Sequence, residues 1–211
     1  MVRRYAFTMI ELIFAIVIIA ITVLSLPMMT NVNSKGIENN LIQEAIFASA
    51  AKLNDVVTYR WDENSIDVDN TNAMSQIINS GGTDCNTSGQ RPGAILQPLH
   101  RRCLNDTSVR ATTLANLGSD TGETDSTLFD DIDDLQETDA NLTSGLPGRD
   151  SYKDNYTSTI TIGYASFGTV GVSEQNIKEI NSSISDDTGV ITKLRTYSAN
   201  IGEIDYYKRS F

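Results

Sequence analysis

The run Phe7-Thr-Met-Ile-Glu11-Leu-Ile-Phe-Ala-Ile-Val-Ile-Ile-Ala-Ile-Thr-Val-Leu-Ser-Leu-Pro27-Met-Met29 decides how this chain of 211 residues is read. Eighteen of the residues from 7 to 29 are apolar, and Leu12 to Met29 is a stretch of 18 positions without a charge. At about 1.5 Å per residue, a helix of that length reaches the lower limit for crossing a hydrocarbon core about 30 Å thick. Arg3 and Arg4 precede it, and by the positive-inside rule they hold the leading end in the cytoplasm and send everything after Met29 outside. Glu11 is the anomaly. A carboxylate at mid-depth costs about 2.5–3.5 kcal/mol on insertion scales and less near the interface. A secretory signal peptide would have a shorter apolar stretch and a small-residue cleavage site after it. A plain anchor fits the length but gives Glu11 no task.

Ala6-Phe7-Thr8-Met9-Ile10-Glu11-Leu12 resembles the prepilin cleavage and methylation motif of type IV pilins and type II secretion pseudopilins. The resemblance covers about 25 residues: a small residue, Phe, Thr, Glu in fifth place, an unbroken apolar helix, and a proline near its end. It implies that a prepilin peptidase cuts between Ala6 and Phe7 on the cytoplasmic side and methylates the new amine of Phe7, while the apolar segment is retained. Two residues depart from the family pattern. Ala6 stands where Gly is usual, and Pro27 is the twenty-first mature residue, one place earlier than in common pilins. The resemblance also gives Glu11 an assembly role. One helical turn from the Phe7 amine, it can neutralise that amine in the membrane or pair with the amine of a neighbouring subunit. The alternative for Glu11 is an interfacial carboxylate that favours the first helical turn.

Beyond Pro27 the apolar character fades through Thr30–Gly36, and a second pattern begins. Ile42, Ile46, Ala50, Leu53, Val57 and Trp61 recur at helical spacing, predicting an amphipathic continuation to Trp61 whose apolar face needs a partner. A helix from Phe7 to Trp61 would run roughly 80 Å. The rest of the chain is about one-third apolar, below the usual globular fraction, and rich in Asn, Thr, Ser and Asp. Residues 62–156 read as a long polar elaboration, with short helices expected at Ala73–Asn79 and Ser126–Gln136. The final third reads as β. Strands are expected at Thr157–Gly163, Ser166–Val172, Gly189–Ser198 and Glu203–Arg209, with a turn at Ala199–Gly202 and a short connecting helix at Glu174–Ile184.

Sixteen Lys+Arg against 27 Asp+Glu give a net charge of −11, which argues against binding the phosphates of nucleic acid. One His and two Cys make a histidine-dependent hydrolase or a multi-Cys/His zinc site a poor fit, and His100 beside Arg101 and Arg102 reads as a loop residue. Cys85 and Cys103 are expected to form a disulfide outside the cytoplasm, with two buried free thiols as the alternative. Residues 111–148 hold nine acids and no Lys or Arg, centred on Asp130, Asp131, Asp133 and Asp134, with a smaller cluster at Asp67 and Asp69. Hard carboxylates suit calcium, and a calcium site is known among the major pseudopilins. Neither cluster has EF-hand spacing, so a solvated acidic face is the preferred reading and no cofactor is assigned.

The expected fold is therefore α+β and pilin-like, a long N-terminal helix, transmembrane then amphipathic, packed on a C-terminal antiparallel sheet. Residues 1–6 form the leader, 7–29 the transmembrane and assembly helix, 30–61 its amphipathic continuation, and 62–211 the extracytoplasmic globular domain. The expected function is that of a non-catalytic filament subunit, of a minor kind given its size, in a type II secretion pseudopilus or type IV pilus. Its partners would be the prepilin peptidase, other subunits and the inner-membrane assembly platform. The expected location is the bacterial inner membrane, N-terminus cytoplasmic and C-terminal domain periplasmic, then the filament. The different-class alternative is a membrane-tethered extracytoplasmic binding module outside any filament.

Overall fold

The computed structural model describes residues 8–66, 74–80, 84–92, 101–106, 108–142, 156–166 and 174–203. The leader, Ala6 and Phe7, the Asp67/Asp69 pair, His100, most of the expected strand Ser166–Val172 and nearly all of Glu203–Arg209 lie outside the described residues. The chain divides into two compact units, Met1–Glu44 and Ala45–Phe211.

A single helix, α1, runs from Met9 to Val56 and contains both Pro27 and Gly36 without interruption. It starts after Thr8, whose carbonyl accepts the amides of Glu11 (3.1 Å) and Leu12 (3.2 Å). It stops before the expected Trp61. The amides of Thr58 and Tyr59 bond three residues back, to Asp55 and Val56, and the Thr58 hydroxyl donates to the Asp55 carbonyl at 2.7 Å. This tightening winds up the last turn.

The second unit carries a four-stranded antiparallel meander in the order β1-β2-β3-β4. Its strands are β1 (Glu137–Asn141), β2 (Thr157–Ala165), β3 (Glu174–Asp186) and β4 (Gly189–Ala199). The strands expected at Thr157–Gly163 and Gly189–Ser198 are present. The helix expected over Glu174–Ile184 is instead β3, between β2 and β4. Ile177, Ile180 and Ile184 lie at helical spacing, but Lys178, Ile180, Ser182 and Ile184 are all fully buried, which is the period-two row of a strand. The helix expected over Ser126–Gln136 shrinks to one 3-10 turn, Asp133–Leu135. At 76–79 the chain forms isolated bridges, Ile77 with Cys103 and Asn79 with Arg110, in place of the expected helix.

In this unit the sheet buries Ser158, Ile160 and Ile162 from β2 beside the β3 row. The outer part of α1 lies on it. The residues it buries are Ala45, Ser49, Leu53 and Val56; Leu53 belongs to the expected face and the other three each precede an expected position by one, so the observed face is turned partway through the roughly 100° that one residue spans. Of the expected stripe within α1, Leu53 faces inward while Ile42 and Ile46 stay exposed, as does Val57 just beyond it. Small side chains decide this. Ser49 and Ser182 are both fully buried, and the Ser49 hydroxyl donates to Ser182 Oγ at 2.9 Å, so helix and sheet approach closely with the polar groups satisfied. Lys52 pairs with Glu137 of β1 at 3.1 Å. Leu53 and Val56 then meet Trp61, Ile78, Ala111, Ile132, Ile160, Ile162 and Ile180 in one core.

The loops are tied to this core by side chains. Asn200 substitutes for a strand, its Oδ1 accepting the Ile78 amide (3.2 Å) and its Nδ2 donating to the Ile78 carbonyl (2.7 Å). The Cys85–Cys103 disulfide is formed, and a loop of this size stabilises a fold by about 3 kcal/mol on the chain-entropy account. Gly202 completes the clamp at φ +61°, where an added Cβ would sit 3.1 Å from both the Ile77 nitrogen and the Ser75 oxygen. Backbone on both sides cannot yield as a side chain would. Gly202→Ala is expected to cost about 1–3 kcal/mol, read as a lower urea midpoint. Gly163→Ala, where a Cβ meets nothing within 4 Å, should leave the midpoint nearly unchanged.

Candidate functional site

Among the described residues, two places put charge into apolar surroundings, one in each unit. In the first unit, the apolar side chains of α1 from Met9 to Met29 are exposed, and α1 is long and apolar enough to span a membrane. The hydroxyls along this stretch bond to their own helix. Thr22 Oγ1 donates to the carbonyls of Ile18 (3.0 Å) and Ile19 (2.9 Å), and Ser25 Oγ donates to that of Thr22 (3.0 Å). Such back-bonding is what a hydroxyl requires where no water is present. Glu11 is an acid in the first turn of α1, with Thr8 three residues before it. This is the spacing of a capping box, and the free amides of a helix start favour an anion there.

In the second unit, Lys178 of β3 is completely buried. Its Nζ contacts Asp133 Oδ1 and lies 3.7 Å from Asp131 Oδ2 and 3.8 Å from Asp62 Oδ2. All three acids are themselves buried. The Trp61 ring covers the ammonium, its centroid 4.9 Å from Nζ, and is held by a 3.2 Å bond from its Nε1 to the Ser198 carbonyl. A cation over the indole face gains from the ring quadrupole, more so where water is excluded.

The acids reach Lys178 because each also terminates irregular backbone. Asp62 caps the 3-10 turn Glu63–Ser65 through the Asn64 amide (3.1 Å) and accepts the Thr112 amide (2.8 Å). Asp131 accepts the amides of Asp133 (2.8 Å), Asp134 (3.3 Å) and Glu63 (3.0 Å). Asp133 accepts the Gly118 amide at 3.2 Å. The Tyr164 hydroxyl donates to the Thr112 carbonyl, closing one side. Three stretches of loop, 61–64, 112–118 and 131–134, thus converge around one amine.

One ammonium faces three carboxylates, and the titration reflects the excess. Burial pushes Asp131 up to about 9, against the downward pull of Lys178 and with Asp133 and Asp134 adding to the rise. Burial raises Asp62, again opposed by Lys178. Burial and then the Asp62 charge raise Glu63. Tyr164 is raised by burial and then by the Asp62 charge.

The four acids considered for calcium therefore divide. Asp131 and Asp133 serve Lys178. Asp130 and Asp134 join Glu123 instead, with ligand oxygens within 4.8 Å of one another. Asp134 Oδ2 already accepts the amides of Asp130 (2.9 Å) and Asp131 (3.1 Å), and Asp130 pairs with Arg60 at 3.4 Å. Sequence reading missed Lys178, Asp62 and Trp61 as one group. The available signal was a lysine in register with Ile180, Ser182 and Ile184. No family model, no curated protein and no solved structure matches this chain.

The raised carboxyls fix the sign of a pH effect. Between the ordinary value of 3.8 and about 9 for Asp131, the folded chain keeps a proton that the unfolded chain releases, so stability falls as pH rises. The lowered carboxyls Asp106, Glu179 and Asp186 oppose this only near and below their ordinary range. Chemical denaturation of the detergent-solubilised chain should show greater stability at pH 5 than at pH 8. Lys178→Met, which strands the acids without their cation, should lose about 3–5 kcal/mol, with the larger loss at pH 8.

Proposed function

We propose that this chain is a structural subunit of a type IV pilus or type II secretion pseudopilus, made as a precursor and assembled through its N-terminal helix. The observation that carries the reading is Glu11. It is the one charge between Phe7 and Met29, near the start of an exposed apolar helix and four residues after Phe7, where cleavage behind Ala6 would create an ammonium. The disulfide-linked α+β second unit supports the reading, since disulfides persist in oxidising compartments.

On this reading the precursor enters the bacterial inner membrane with Arg3 and Arg4 in the cytoplasm and the body in the periplasm. The prepilin peptidase removes residues 1–6 and methylates Phe7, and the assembly platform draws the subunit into a fibre. The work done is electrostatic and steric, with no bond made in a substrate. Packing neighbouring apolar helices removes their side chains from lipid, an interaction without directional preference. The Glu11–Phe7 pair supplies the direction. At low dielectric an unpaired carboxylate or ammonium is costly, so a neighbour in register is favoured over one displaced along the helix.

Mass analysis of the chain recovered from membranes is expected to begin at N-methylated Phe7. An intact Met1 in the mature protein would overturn the proposal in favour of a simple tethered module. Glu11→Ala should leave cleavage and membrane insertion unchanged. It should lower the amount in purified filaments at least about tenfold, the equivalent of about 1.4 kcal/mol.

A further inference from the structure

The amine of Lys178 and the side chain of Asp133 are held in contact in a dry site, with a second carboxyl beside them. We infer that Lys178 and Asp133 condense into an intramolecular isopeptide bond, Asp131 carrying the proton. Every component of an acyl transfer is present. The nucleophile is Nζ, touching Asp133 Oδ1. The acyl group is the Asp133 carboxyl, whose other oxygen, Oδ2, accepts the Gly118 amide at 3.2 Å. That amide is a fixed donor where negative charge develops in a tetrahedral intermediate. The proton carrier is Asp131, with Oδ2 3.7 Å from Nζ and Oδ1 fixed by the amides of Asp133 and Asp134.

The step balances without any co-reactant. The Lys178 ammonium passes one proton to Oδ1 of Asp133, leaving a neutral amine and a neutral acid. Nζ bonds to Cγ, and the charge moves to Oδ2 against the Gly118 amide. Asp131 gives its carboxyl proton to Oδ1 and takes one from nitrogen in its place. The Cγ–Oδ1 bond breaks, Oδ1 departs as water, and Oδ2 becomes the amide carbonyl. One N–C bond forms, one C–O bond breaks, and nothing is oxidised or reduced.

Environment supplies the driving force. Condensing amines with carboxylates fails in water because both groups are charged, dilute and bathed in the product. Here Lys178 and Asp62 side chains are 0% exposed and those of Asp131 and Asp133 2%, with Trp61 over the amine. Fixing the two groups in contact replaces a bimolecular encounter. Burial penalises the ion pair and leaves the neutral amide little affected. Water, once expelled, is not readily replaced. The bond would join the loop carrying Asp133 to the interior strand β3.

The test uses the full chain from membranes, denatured, reduced and digested with trypsin. Residues 111–149 and 154–193 should be recovered as one branched species, lighter than their sum by one water, with no cleavage after Lys178. Free 111–149 together with complete cleavage after Lys178 would overturn the inference, and that measurement requires no variant. Asp131→Asn should fold, judged by an unchanged circular dichroism spectrum, yet show at least a tenfold lower branched fraction. A folded Asp131→Asn chain that is fully branched would remove Asp131 from the reaction. As a check on where bond breaking occurs, Asp133→Asn should yield a branched species of the same mass as the wild type, because ammonia then leaves in place of water. A different mass would exclude attack at this carbon.

Discussion

The Lys178 side chain, which enters the fold as an ammonium without access to water, organises the second unit. Lys178 cannot stay charged in the interior alone, since desolvation costs several kcal/mol per ion after relaxation. The chain surrounds it with Asp62, Asp131 and Asp133. Those carboxylates would in turn be costly, and backbone amides from Asn64, Thr112, Glu63, Asp133, Asp134 and Gly118 stabilise them. These amides belong to irregular segments outside the sheet ladder. The ionic centre thus answers a second problem, how buried loop backbone finds acceptors. The acidic run 130–134 is largely an acceptor set for backbone. Removing the lysine leaves the amides bonded but the charge unbalanced, so the centre is coupled in one direction more than the other.

The helix–sheet interface follows a different rule. Ala45 and Ser49 face the sheet and leave Ile42, Ile46 and Phe47 outside. Size rather than hydrophobicity selects the inward face, because a fully buried Ser182 in the middle of the β3 row leaves room for close approach and offers a hydroxyl for Ser49. Larger side chains at 45 and 49 would push the helix away and leave Ser182 without that partner. The turn of the inward face toward Ala45 and Ser49 is therefore a consequence of what the sheet presents.

That contrast explains what could be read before the fold was known. The long helix, the disulfide and strands β2 and β4 were legible because each rests on local chemistry: an unbroken apolar run, two cysteines as the whole cysteine complement, and alternating β-branched residues. Strand β3 was not. Its inward row reads Lys178, Ile180, Ser182, Ile184, and hydrophobic periodicity counts the first and third as surface. The same applies to Ala45 and Ser49, invisible to a search for large apolar residues. At 130–134 the composition was plain, yet nothing local distinguishes acids facing solvent from acids facing a lysine more than forty positions away. Where a polar side chain is buried by a distant partner, pattern reading inverts inside and outside.

Glu11 and Lys178 set the same physics against two outcomes. A charge in a low-dielectric setting must find its opposite, and the distance along the chain at which it does so determines what the charge is for. Lys178 finds three acids within its own unit, so its charge is spent on closing the fold and leaves nothing for another molecule. Between Arg4 and Lys35 the sequence holds no Lys or Arg, so along the described helix no cationic side chain stands within a turn of Glu11. On the proposed reading, the opposite charge for Glu11 is one created later, or one carried by another chain. Cleavage behind Ala6 would do both at once, placing an amine four residues from each Glu11 and making every copy both donor and acceptor. On the proposed reading, a chain whose described buried charges are met within its body, and whose Glu11 meets none along the described helix, would be completed by copies of itself, and this asymmetry is what supports the filament over a solitary tether.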